Sequence, residues 1–328
     1  MQTALIFGGA GQVGRAVATA LAAQGWQVDA TTSTRLPSDL PARTVPQLES
    51  RAATIRAGRY DAVIDTLAFT AADAADLLAT RAAYGQLLVI STASVYADAA
   101  GNGFETGTFP TYPDPIPEDQ PTVAPGPGYS AGKVALEQAL AGTATILRPA
   151  AIHGIGARHP REWYFVKRLL DGRTHIPIEH AGASVFHTTS ATGLASLAVF
   201  CLTHGHLGAF NAADPVAHPV STMAHIMADV LHRPITLVPV PQLPDDLAHI
   251  GHSPFSVPHP LRLSTARARA LGWDGGPEYA TLMPAYCDWL ASHAAGWQTA
   301  FPGFAQYGHD PFDYVGEDRA LALLAAKS

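Results

Sequence analysis

The junction at the start of the chain constrains its fold more than any other stretch: the apolar run Thr3-Ala4-Leu5-Ile6-Phe7 breaks directly into Gly8-Gly9-Ala10-Gly11-Gln12-Val13-Gly14. Residues 15–24 then repeat apolar positions at helical spacing, with Val17 and Leu21 set among alanines, and stop at Gly25, a helix terminator. Glycines between a strand and a helix have separate uses. Gly8 permits the tight turn, Gly11 lets the backbone approach a pyrophosphate, and Gly14 lets the new helix pack on the strand, while the helix N-terminus offers unpaired amides to the anion. The implied ligand is a dinucleotide, and the flanking strand and helix separate this pattern from a purely structural turn.

Alternation continues downstream. Residues 26–31 read as a second strand, 47–57 as a helix, Tyr60 to Asp65 as a strand buried on both faces, 71–83 as a helix, and 86–92 and 145–148 as further buried strands. This is the pattern of an α/β, Rossmann-type doubly wound parallel sheet, whose ligands bind beyond the carboxyl ends of the strands. The expected organisation is a dinucleotide-binding domain over 1–150 with a return segment near 184–215, a smaller α/β substrate domain mainly over 151–296, and an extension over 297–328. Segments 161–170, 264–271 and 279–293 read as helices of the substrate domain. Between 110 and 127, seven prolines in eighteen positions exclude regular strand or helix and predict a stiff loop.

Composition narrows the partners. A net charge of −7 argues against a nucleic-acid backbone or an anionic membrane, both of which require clustered Lys and Arg, and favours a small-molecule substrate. Cys201 and Cys287 are too few for a disulfide framework or a thiolate metal site. Among fifteen histidines, His249 and His252 are three apart, but Gly251 lies between them and no carboxylate is in register, so no metal is expected. No run of about 18 apolar residues occurs and Met1-Gln2 opens straight into the first strand, which predicts a cytoplasmic protein.

Two further stretches carry chemistry. In NAD sites an acidic side chain at the end of the second strand binds the adenosine ribose, whereas an NADP site needs hydroxyls and a cation. Asp29 falls within the strand and Thr32-Ser33-Thr34-Arg35 follows it, so Thr32, Ser33 and Arg35 are expected around a 2′-phosphate, with NADP preferred over NAD. The strand core 87–91 runs into Thr92-Ala93-Ser94-Val95-Tyr96, which precedes Tyr129-Ser130-Ala131-Gly132-Lys133 at the head of a helix. Tyr129 and Lys133, four apart, share a helix face. An ammonium nearby favours a phenolate, which suits the phenol to exchange a proton with a substrate oxygen that the Thr92 hydroxyl holds.

The order GGAGQVG, ISTASVYA, YSAGK and ILRPAAIHG resembles the extended short-chain dehydrogenase/reductase family, which contains nucleotide-sugar epimerases and dehydratases, over nearly the whole chain to about His293. The resemblance implies Thr92, Tyr129 and Lys133 as catalytic, Gly8, Gly11 and Gly14 as coenzyme-binding, and a homodimer through a four-helix contact. Coenzyme contacts are expected to extend to Gln12, Val13, Leu67, Ala68, Lys133 and Pro149, and substrate contacts to Ser94, His153 and Trp163. Nucleotide-sugar members of the family commonly carry an Asn where Ala151 stands, a departure that weakens a nucleotide-sugar assignment. The implied activity is hydride transfer at a carbinol or carbonyl carbon. The alternatives are an epimerase or dehydratase that retains its coenzyme, and a non-catalytic nucleotide- or RNA-binding member.

Overall fold

A computed structural model describes residues 1–241 and 243–326. In chain order the elements begin β1 (Thr3–Phe7), α1 (Gln12–Ala23), β2 (Gln27–Thr31), β3 (Arg43–Thr44), α2 (Arg51–Arg56), β4 (Tyr60–Asp65), α3 (Ala71–Leu78), β5 (Tyr84–Ile90), α4 (Tyr129–Ala139) and β6 (Thr145–Pro149). They continue through β7 (Ala151–His153), α5 (Trp163–Leu170), β8 (His175–Ile178), β9 (Thr188–Ser190), α6 (Ala191–His204), β10 (Gly208–Ala212), α7 (Val220–Val230) and β11 (Thr236–Pro239). The last helices are α8 (Ala266–Ala270), α9 (Tyr279–Ser292), α10 (Trp297–Ala300) and α11 (Tyr314–Ala325).

The chain forms two compact units, residues 1–152 with 188–215 and 263–277, and residues 153–187 with 216–262 and 278–328. The first is built on a seven-stranded parallel sheet of order β10-β6-β5-β4-β1-β2-β3, the doubly wound arrangement that the alternating pattern predicts. Its central strands are buried on both faces, which is why their sequences are continuous apolar runs. On one face α1 and α6 close a core around Val17, Leu21, Leu194, Leu197 and Trp273; on the other α3 and α4 pack Leu77, Leu136 and Leu140 over Leu5, Val63 and Val89.

Several boundaries move for local reasons. Helix α2 starts at Arg51 because the Ser50 hydroxyl accepts from the Ala53 amide and caps it there, so 47–50 stay outside. The helix expected over 71–83 ends at Leu78, and a separate turn covers 81–83. Residues 263–277 are a correction: they belong to the first unit, not to a substrate domain, because Trp273 is buried in the α1/α6 core and its indole N–H donates to Ser196 Oγ at 3.1 Å.

The second unit has a two-stranded parallel sheet, β8 with β11, and a core in which α5, α7 and α9 pack Phe165, Met223, Met227, Met283 and Tyr286. The extension after 296 is part of this core. Trp297, Phe301, Phe304 and Phe312 pack into it, and a buried ion pair joins Arg168 of α5 to Glu317 of α11. The Arg168 guanidinium also lies 3.6 Å from the centroid of the Tyr164 ring.

Candidate active site

In a parallel sheet every strand delivers its carboxyl end to the same edge, so the turns after β1, β2, β4 and β5 converge in the first unit. After β1, Gly8 turns the chain at φ +84°, in the left-handed region that favours glycine. A Cβ on Gly14 would collide with the Gly8 carbonyl, so glycine there lets α1 begin directly against the turn. At Gly11, the N-cap of α1, an added Cβ would meet only the Gly8 carbonyl oxygen, at 3.3 Å. The α1 N-terminus, with Gln12 and Val13 in its first turn, therefore presents its amides beside a backbone kept clear of side chains, a cradle that fits a pyrophosphate.

β2 ends at Thr31. Asp29, two residues earlier, is 4% exposed and engaged elsewhere: Arg43 Nε and Nη2 both donate to its carboxylate at 2.8 Å, and the Tyr60 hydroxyl donates at 3.2 Å. Thr32 follows the strand, its hydroxyl 3.3 Å from that of Thr34, while Ser33 and Arg35 are exposed.

The turn after β4 depends on a side chain that sequence reasoning missed. Asp65 is fully buried at the end of the strand, and its Oδ1 accepts from the amides of Leu67 and Ala68 at 2.8 and 2.7 Å. Arg51 Nε donates to its other oxygen at 2.5 Å and Arg51 Nη1 to Asp73 at 2.6 Å. Burial pushes the Asp65 carboxyl upward against the pull of Arg51 and the two amides. Leu67 is left exposed and Ala68 buried.

That turn seats the lysine. Lys133, 6% exposed, donates from Nζ to the carbonyls of Ala68 at 2.7 Å and Ile90 at 2.8 Å, so α4 is tied to the turn after β4 and to the end of β5. Burial pulls its ammonium down to about 8, opposed by Asp65, Asp73 and Glu137. Phe69 faces both members of the pair: its ring centroid lies 5.6 Å from Lys133 Nζ and 5.6 Å from the Tyr129 ring centroid. Tyr129, the first residue of α4, is 49% exposed and its hydroxyl has no hydrogen-bond partner among the described residues. After β5, the Thr92 hydroxyl lies 3.0 Å from that of Ser94 and accepts from the Ser94 amide. Pro149 is buried at the end of β6.

Residues 1–170 match the family described as RmlD substrate binding domain. The chain belongs to that family. The resemblance to extended short-chain dehydrogenases/reductases holds in fold for this RmlD-family chain. WbmG of Bordetella bronchiseptica in complex with NAD is 20% identical, over 89% of this chain and 95% of that one, with a TM-score of 0.66. dTDP-glucose 4,6-dehydratase of Bacillus anthracis, also in complex with NAD, is 15% identical over 92% and 100%, with a TM-score of 0.64. UDP-N-acetylglucosamine 4-epimerase of Bacillus cereus is 14% identical over 88% and 99%, at 0.62. No curated protein matches the RmlD-family chain in sequence.

Two expected substrate contacts fall in the second unit and are almost wholly enclosed there. His153, 1% exposed, lies 5.1 Å and 6.0 Å by ring centroid from Tyr279 and Tyr286. Trp163, also 1% exposed, packs against Trp297 and Phe301, so its indole is core rather than pocket lining. Among the described residues no group of three or more His, Cys, Asp or Glu is placed to hold a metal ion, and no helix is long and apolar enough to cross a membrane.

Proposed function

We propose that the chain is an NAD(P)-dependent oxidoreductase of the extended short-chain type that interconverts a carbinol and a carbonyl. The observation that carries this reading is the seat of Lys133: its bonds to the Ala68 and Ile90 carbonyls fix α4 to the same sheet edge as the Gly8–Gly14 turn. When bound, the nicotinamide coenzyme supplies or accepts a hydride at ring C4. Tyr129 gives a proton to the substrate oxygen in reduction and takes one from it in oxidation. Thr92 donates its hydroxyl to the same oxygen, and Ser94 orients that hydroxyl. Lys133 commits two N–H groups to carbonyls and has a third for the nicotinamide ribose.

The coenzyme preference proposed is NADP. Asp29 is committed to Arg43 and Tyr60, so the groups just beyond β2 are the hydroxyls of Thr32 and Ser33 and the Arg35 cation, which suit a 2′-phosphate. The NAD held by WbmG and by the B. anthracis dehydratase favours a second reading, an epimerase or dehydratase that keeps NAD bound and recycles the hydride. Incubation with NADPH or NADH and a panel of carbonyl compounds and nucleotide sugars separates the two. Net coenzyme oxidation supports the first reading; isomerised or dehydrated sugar with no net coenzyme change supports the second. In either case Tyr129→Phe is expected to lower kcat by about 10²–10⁴-fold with coenzyme affinity unchanged, and full activity in that variant overturns both.

A further inference from the structure

We infer that Glu105, in the loop between β5 and α4, is a positioning residue that holds Tyr129 in its working place. The inference rests on the assignment of Tyr129 as acid/base. Tyr129 is the first residue of α4, so no helical turn precedes it to absorb fraying, and helix ends fray first. The N-cap is Gly128, at φ +106°, with no side chain to accept from the exposed amides. Glu105 replaces the missing cap from 24 residues upstream: Oε1 accepts from the Tyr129 amide at 3.1 Å and Oε2 from the Ser130 amide at 2.7 Å.

A carboxylate accepting two N–H bonds at a helix N-terminus gains from charge-assisted hydrogen bonding and from the helix dipole together. In agreement, Ser130, through its amide first and then its side chain, and after it the Tyr129 amide hold the Glu105 carboxyl below its ordinary range. The two ends of the first turn of α4 are thus anchored differently. Lys133 is fastened to the sheet by the carbonyls of Ala68 and Ile90, whereas the Tyr129 backbone is fastened by a carboxylate from a surface loop. The Phe69 ring beside Tyr129 limits where the phenol goes, but does not hold its backbone. Glu105 therefore sets the phenol's position relative to a substrate oxygen without touching that oxygen.

The test compares wild type, Glu105→Ala and Glu105→Gln in coenzyme binding, in turnover of whichever carbonyl compound or nucleotide sugar the wild type accepts, and in amide hydrogen exchange. Misplacement of a reacting group by about 1 Å costs on the order of 10²-fold in rate. Glu105→Ala is expected to lose about that in kcat, with coenzyme Kd within about twofold and faster exchange confined to the first turn of α4. Glu105→Gln keeps one acceptor oxygen and is expected to recover part of the rate. An active wild type with kcat unchanged in both variants overturns the role of Glu105 and leaves the oxidoreductase reading intact. A wild type inert toward every probe overturns that reading and this inference with it.

Discussion

Lys133→Met gives a pH-dependent stability signature whose size follows from the seat of the lysine. Its folded-state value of about 8, against 10.5 for an unburied lysine, corresponds to about 3 kcal/mol at 1.36 kcal/mol per pH unit. The sign follows from proton counting. Between about 8 and 10.5 the unfolded chain keeps a proton that the folded chain has released, so stability rises with pH across that window; below about 8 both states are protonated and the contribution is constant at its least favourable value. Methionine has no proton to lose, so the difference between wild type and Lys133→Met cancels every titrating group that does not face the lysine, and the facing groups Asp65, Asp73 and Glu137 are carboxylates, a class that ionises at lower pH. Denaturant unfolding of both proteins at about pH 7 and about pH 9.5 is expected to show the wild type gaining about 2 kcal/mol relative to the variant. A difference that stays flat with pH refutes the downward pull of burial on the Lys133 ammonium.

Three other perturbations test separate parts of the structure. Gly14→Ala drives a Cβ into the Gly8 carbonyl and is expected to abolish coenzyme binding and lower Tm, so a variant that binds normally by calorimetry removes the reason given for that glycine. Asp29→Asn breaks the Arg43 fork and is expected to lower Tm while coenzyme Kd stays within about twofold; a large loss of affinity would return Asp29 to the ribose. Arg168→Met leaves the buried Glu317 carboxylate with only the Arg173 guanidinium at 3.4 Å and is expected to cost about 3 kcal/mol in denaturant unfolding, with much of it regained on adding Glu317→Leu. Equal stability of the single variant and wild type would exclude that pair as the anchor of α11.

The parts of the fold that were legible in advance are those dictated by local rules. The β1 run, the glycine turn and the alternation through β6 follow from periodicity and turn chemistry over short stretches, and they locate Tyr129 and Lys133 on α4, whereas Thr92, expected at the end of the strand 86–92, lies beyond β5, which ends at Ile90. Features governed by distant pairing were not legible. Arg43 sits in a two-residue edge strand, and nothing in its neighbourhood in the sequence says that it forks onto Asp29, 14 residues away. Glu105 lies in an irregular loop, and no neighbouring residue in the sequence signals its contact with Tyr129 and Ser130. Asp65 could have been noticed as an acid ending an apolar strand, but its partner Arg51 precedes the strand and faces it only once the sheet has formed. Residues 263–277 were misassigned because a short helix with a single tryptophan fits either unit, and only the packing of Trp273 decides. The aromatics after 296 likewise read as a tail until their burial is seen.

The central claim is that the Gly8–Gly14 turn and Lys133 together receive a nicotinamide dinucleotide. Titration calorimetry of the purified chain with NADP and with NAD tests it most directly. The expected result is saturable one-to-one binding, tighter for NADP, that is lost in Gly14→Ala and weakened in Lys133→Met. Binding of neither coenzyme by the intact protein would contradict the claim.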